Sequence, residues 1–196
     1  ENGQTPDLSF DLSQLTNDSL FSGDPAVAKT DAGTWDLTYT PAHNAYGTSV
    51  VTVVLTDKGG VDNGGVETVT TNLTIEIRAV NDAPSFAVNP DLPVILGARG
   101  NQHVNDDAVA QQVPNWATQR RKGPSTATDE SGQSLSFDLS QISAVAADGE
   151  TTIPPSDLFT ATGYPAVHPD TGDLTYTPKN GAKGKAVITV KLEDSG

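Results

Sequence analysis

The chain repeats itself, and this constrains its fold more than any other feature. Leu8-Ser9-Phe10-Asp11-Leu12-Ser13-Gln14 returns as Leu135-Ser136-Phe137-Asp138-Leu139-Ser140-Gln141. Glu1-Asn2-Gly3-Gln4 returns as Glu130-Ser131-Gly132-Gln133, Asp18-Ser19-Leu20-Phe21 is echoed by Ser156-Asp157-Leu158-Phe159, and Pro25-Ala26-Val27 by Pro165-Ala166-Val167. Leu37-Thr38-Tyr39-Thr40-Pro41 matches Leu174-Thr175-Tyr176-Thr177-Pro178, and Val51-Thr52-Val53 matches Ile188-Thr189-Val190, both at a spacing of 137 residues (174 − 37 and 188 − 51). A sequence unit used twice is one supersecondary arrangement built twice.

The repeated blocks predict strands. Leu8, Phe10 and Leu12 alternate with Ser9 and Asp11, the period of a half-buried strand. The 18 Gly and 13 Pro, set among many Thr, Val, Asp and Asn residues, place turns between short strands. Residues 106–116 tolerate a helix, but Pro114 interrupts them, so a turn or strand fits as well. The expected class is all-β.

The two copies are cut at different places. Residues 66–77, with Val69, Leu73, Ile75 and Ile77, predict a long closing strand for the first copy that the second does not reach by Gly196. Residues 84–129, with apolar runs near Val94 and Trp116, precede the second copy and have no counterpart before Glu1. The first unit is thus expected to lack its opening strand or strands and the second its closing ones. An unpaired edge exposes backbone hydrogen-bonding groups and takes up a further strand. Two sources stay open: neighbouring repeats of a longer array, or identical chains completing one another by strand exchange.

Charge and composition exclude several classes. With 25 acidic against 11 basic residues the net charge is −14, which argues against nucleic acid and anionic membrane and favours cations. There is no Cys, hence no disulfide, thiolate metal site or catalytic thiol. The longest apolar stretches, such as residues 50–55, fall far short of the roughly 20 residues of a membrane helix, so no membrane insertion is expected. No segment resembles an export signal, and an exported protein of this kind is expected to carry one elsewhere.

The segment Ala79-Val80-Asn81-Asp82-Ala83-Pro84-Ser85-Phe86 resembles the inter-domain linker of cadherins and of bacterial cadherin-like repeats. Tyr39-Thr40-Pro41-Ala42-His43-Asn44-Ala45-Tyr46-Gly47, residues 51–60, Asn63-Gly64-Gly65-Val66, residues 101–108 and residues 123–133 are similar to the same repeats, found in giant extracellular adhesins and surface proteins. The resemblance implies tandem immunoglobulin-like Greek-key β-sandwich domains, secretion to the cell surface, and calcium near the junctions. It divides the chain into residues 1–83, the back of one repeat, and 84–196, the front of the next, joined at 79–86. The linker lacks the second Asn of the animal pattern, and an insertion at 144–155 has no partner in the first unit.

Calcium takes about six to eight oxygen ligands, so acids from several segments must converge. The resemblance carries ligand roles to Asn81, Asp82, Asp107, Asp129 and Glu130, with Asp57 closing the last hairpin of the first unit. The alternative is that Asp82 makes an Asx turn ahead of Pro84 and the other acids solvate loops. Residues 57–65, rich in glycine, read mainly as a hairpin loop. His43, His103 and His168 stand in separate segments without zinc-ligand spacing, and no Gly-x-Ser-x-Gly elbow occurs, so no enzyme is read here. Arg120-Arg121-Lys122 reads as a solvated turn. Trp35, Trp116 and the tyrosines fit packing better than sugar stacking. The expected function is a non-catalytic structural or adhesive module in a calcium-stiffened array, its partners being neighbouring repeats or identical chains, and a surface glycan or protein. A self-assembling fibre subunit and a carbohydrate-binding module are the alternatives.

Overall fold

Short runs of β-branched and apolar residues, punctuated by Gly, Pro, Asn and Asp, form short strands and tight turns. The computed structural model, which describes residues 8–57 and 67–196, is accordingly all-β. Helical turns among these residues are 3-10 pieces of three to five residues. No described helix is long and apolar enough to cross a membrane. Glu1-Asn2-Gly3-Gln4 and the loop at 58–65 lie outside the described residues.

The chain divides into two compact units. Unit 1 runs to Val80 and takes in Thr126–Asp129; unit 2 comprises Asn81–Ser125 and Glu130–Gly196.

Unit 1 holds β1 (Leu8–Leu15), β2 (Ala26–Lys29), β3 (Trp35–Thr38), β4 (Gly47–Asp57) and β5 (Thr68–Ile77). Its sheet has the order β1-β4-β5, antiparallel throughout, and β2 pairs with β3 as a hairpin. Central β4 is the most apolar of the three, with Val50, Val51, Val53, Val54 and Leu55. A strand paired on both edges has no backbone left to solvate and can bury such a run. Its pairing with β5 runs unbroken from Gly47↔Ile77 to Thr56↔Thr68. Leu20, Phe21, Val51 and Ile75 form the core.

Unit 2 holds β6 (Ser85–Val88), β7 (Val94–Ile95), β8 (Ala98–Arg99), β9 (Gln111–Val113), β10 (Ala117–Arg121), β11 (Leu135–Asp138), β12 (Ile142–Ala146), β13 (Thr152–Ile153), β14 (Ala166–Val167), β15 (Leu174–Tyr176), β16 (Gly184–Ile188) and β17 (Lys191–Asp194). The helix-tolerant stretch is a turn at 106–107 followed by β9. The insertion at 144–155 makes the β12–β13 hairpin, whose turn is closed by Asp148 accepting from the Glu150 and Thr151 N–H groups, each at 2.9 Å. Trp116, Ala144, Leu158, Phe159, Val167, Leu174 and Tyr176 lie in the core.

The sequence repeat is a structural repeat. Leu8 lies opposite Asp57 and Phe10 opposite Leu55; likewise Leu135 lies opposite Asp194 and Phe137 opposite Leu192. Phe21 bridges Pro41, and Phe159 bridges Pro178. Even the irregularity recurs. A bulge at Gln14, held at φ 57°, interrupts the β1–β4 ladder, while a break between Asp138 and Ile142 separates β11 from β12.

The units differ in what surrounds the repeated part. In unit 2, β15 carries β9 on its second edge, and Val167, Leu174 and Tyr176 are buried. In unit 1 no described strand lies on that edge of β3, and the equivalent Tyr39 is 46% exposed. The converse holds at the other side: β5 covers β4, whereas no described strand covers the second edge of β16 or β17.

Candidate functional site

Where the linker enters unit 2, the backbone N–H of Asp82 donates to Glu130 Oε1 at 2.8 Å. Glu130 sits in the 3-10 turn Thr128–Gly132 and is only 2% exposed. The turn continues into Gln133, whose N–H donates to the Glu130 carbonyl at 3.1 Å. Gln133 Nε2 in turn donates to Asn81 Oδ1 at 2.7 Å, and Asn81 Nδ2 donates to Asp194 Oδ1 at 3.2 Å. Asp194 ends β17, and the Leu135↔Asp194 pairing brings it beside the chain leaving Gln133. Five residues from three separate stretches thus form one hydrogen-bonded cradle inside unit 2.

The cradle has oxygens to spare. Glu130 Oε2, Gln133 Oε1 and Asp194 Oδ2 are all buried and accept no hydrogen bond. A buried acceptor left unsatisfied costs about 1–3 kcal/mol, and more when charged, so each of the three calls for a partner. No salt bridge is found at Glu130 or Asp194 among the described residues. Oxygen donors of this kind, without imidazole or thiolate, fit a hard cation such as calcium, with water completing the shell. Among the described residues no three His, Asp or Glu side chains converge as a metal cluster. The cradle has two carboxylates, and its remaining donors are carboxamides.

The structure brings together three of the expected residues, Asn81, Asp82 and Glu130, with Asp82 contributing its N–H rather than its carboxylate. It does not bring Asp107 to them. The neighbouring Asp106 accepts from the Gly181 N–H and its carboxylate lies 3.4 Å from Lys183, which fixes this turn ahead of β16. From there to Asp194 the chain runs the length of β16 and β17, roughly 30 Å of extended backbone. Asp129 precedes Glu130 but is grouped with unit 1 and has no bond to the cradle. Asp57 ends β4 in unit 1, where its N–H donates to the Glu67 carbonyl.

Gln133 and Asp194 were not among the expected ligands, though a signal existed. The spacing of 137 residues carries Asp57 onto Asp194 (57 + 137), and Gln4 is the repeat partner of Gln133.

Arg120, Trp35 and Trp116 are engaged within the fold. Arg120 belongs to β10 rather than a solvated turn, and its guanidinium donates to the carbonyls of Ala117, Pro169 and Asp170. Trp35 packs on Phe10 with ring centres 5.0 Å apart, and Trp116 Nε1 donates to the Gly100 carbonyl. A groove of 370 Å³ in unit 2 has Phe137, Leu139, Ile142, Tyr164 and Pro165 in its walls, with Ser140 beside them.

No protein-family model, curated protein or solved structure matches this chain.

Proposed function

We propose that the chain is a non-catalytic structural or adhesive repeat module of an extracellular protein, built on cadherin-like, immunoglobulin-like Greek-key sandwiches, with calcium binding where the linker joins unit 2. The carrying observation is the set of three buried, unpartnered oxygens on Gln133 and Asp194, which Asn81 bonds, and on Glu130, which the Asp82 N–H bonds. A divalent cation there neutralises carboxylate charge and gives buried, unpartnered oxygens a ligand role. It also clamps Asn81 and Asp82 onto unit 2, which removes freedom from the linker. A duplicated β unit together with a cation-dependent linker suits a load-bearing array, and the acidic surface keeps a long array soluble.

The test is thermal unfolding of the 196-residue chain with calcium and with chelator. Saturating calcium at about 100 times its dissociation constant stabilises the binding unit by about 2.7 kcal/mol, on the order of 10 °C in its melting temperature. Glu130→Gln combined with Asp194→Asn is expected to abolish that shift. Superimposable curves for the native chain with calcium and with chelator would overturn the calcium reading.

A further inference from the structure

We propose that the open edge of β16–β17 in unit 2 is a receptor for an antiparallel strand with the chemistry of β5. It shares Asp194, the end of β17, with the cation cradle but does not need a bound cation. The repeat supplies the argument. β4 runs from Gly47 to Asp57, and the spacing of 137 residues maps it onto Gly184 to Asp194, the course of β16 and β17. One edge of each course is taken in the same way: β1 pairs with β4, and β12 and β11 pair with β16 and β17. The second edge of β4 carries β5 over ten paired residues, while the second edge of β16–β17 is paired by no described strand and so leaves backbone groups for one.

Burial records the difference. Ser49 and Val51 are 0% and 1% exposed beneath β5, whereas their equivalents Ala186 and Ile188 are only half-buried, and Val187 is 56% exposed. The register of unit 1 then specifies the ligand. A strand of β5 sequence places Ile77 opposite Gly184, Ile75 opposite Ala186, Leu73 opposite Ile188 and Val69 opposite Leu192. It also places Glu76 opposite Lys185, where unit 1 has the neutral Thr48. Opposite charges across a strand pair are favourable, so the receptor edge is better matched to Glu76 than β4 itself. The occupant is thus an extended segment with apolar side chains at alternate positions and an acid one residue before the last of them.

The experiment adds a labelled synthetic peptide, with the sequence of residues 67–78, to the full chain. Fluorescence polarisation follows binding, and backbone NMR maps the contact. Saturable binding is expected, with shifts concentrated at Lys185, Ala186, Val187 and Ile188. Replacing Leu73 and Ile75 of the peptide by Ser removes two buried side chains and is expected to weaken binding more than about tenfold. A peptide with Glu76→Lys is expected to bind the native chain about two- to fivefold more weakly and to recover on a Lys185→Glu chain. Lys185 is exposed, so this variant keeps its fold. Absence of saturable binding, equal binding of a scrambled peptide, shifts confined to unit 1, or a chain dimer that persists in excess peptide would each overturn the proposal.

Discussion

Ser49 is fully buried, and its hydroxyl has no partner. The repeat-equivalent position already carries Ala186, so the second copy does without the hydroxyl (49 + 137). Ser49→Ala is therefore expected to stabilise unit 1 by up to about 1 kcal/mol, read from urea unfolding. Tyr176 has a similar orphaned hydroxyl, and burial pushes its pKa up. The carboxylates behave in the opposite way. Asp173 accepts from the Asn115 N–H and the Gln112 side chain, and these bonds hold its pKa below the ordinary value. The Ser140 N–H does the same for Asp138, and the Thr151 hydroxyl and nearby N–H groups for Asp148. A folded-state pKa below the unfolded one gives stability that is complete above the unfolded value, about 4, and is lost as pH falls through the lower folded value. Unit 2 is thus expected to hold its stability from neutral pH down to about 4 and to lose it below. Asp173→Asn should make that acid-side fall shallower; an unchanged slope would show that its bonds contribute nothing to the acid response.

At the scale of elements, one sequence block meets two environments. Tyr39, just past the end of β3, and Tyr176, the end of β15, occupy the same repeat position and pack edge-on against Phe21 and Phe159, at 5.9 and 6.3 Å. Only Tyr176 is buried, because β9 pairs with its strand. Replacement by Ala is accordingly expected to cost several times more at Tyr176 than at Tyr39, about 3–5 kcal/mol for the buried ring, measured as paired unfolding curves. The turn into β15 is equally constrained. Gly172 has φ 74°, and a Cβ there would collide with the Ala117 carbonyl oxygen. Gly172→Ala is therefore expected to destabilise unit 2 by more than about 1 kcal/mol.

For the whole molecule, two separate cores give two places where unfolding can begin. Because every cradle residue belongs to unit 2, calcium is expected to raise the transition assigned to that unit and leave the other in place. Calorimetry of the intact chain, with Ser49→Ala marking the unit 1 transition, checks this; calcium moving the marked transition alone would contradict the placement of the site.

The all-β class, the strand positions and the repeat were legible in the sequence because each depends on local rules: alternation with period two, turn residues between strands, and self-similarity at a fixed spacing. Asn81, Asp82 and Glu130, named from the resemblance of the linker and the acidic segments, are the expected residues that one hydrogen-bonded network joins. Three outcomes belonged to the tertiary structure alone. Asp107 was expected near the linker but lies at the turn before β16, since strand length rather than acidity sets its distance. Asp194 joins Asn81 across 113 residues, a contact made only when β11 pairs with β17. The orphaning of three oxygens likewise could not be read from residue types, because it depends on which neighbours bury each atom and which decline to bond it. The sequence by itself determined what strands could form; pairing across long separations decided which side chains share a site and which edge no described strand covers.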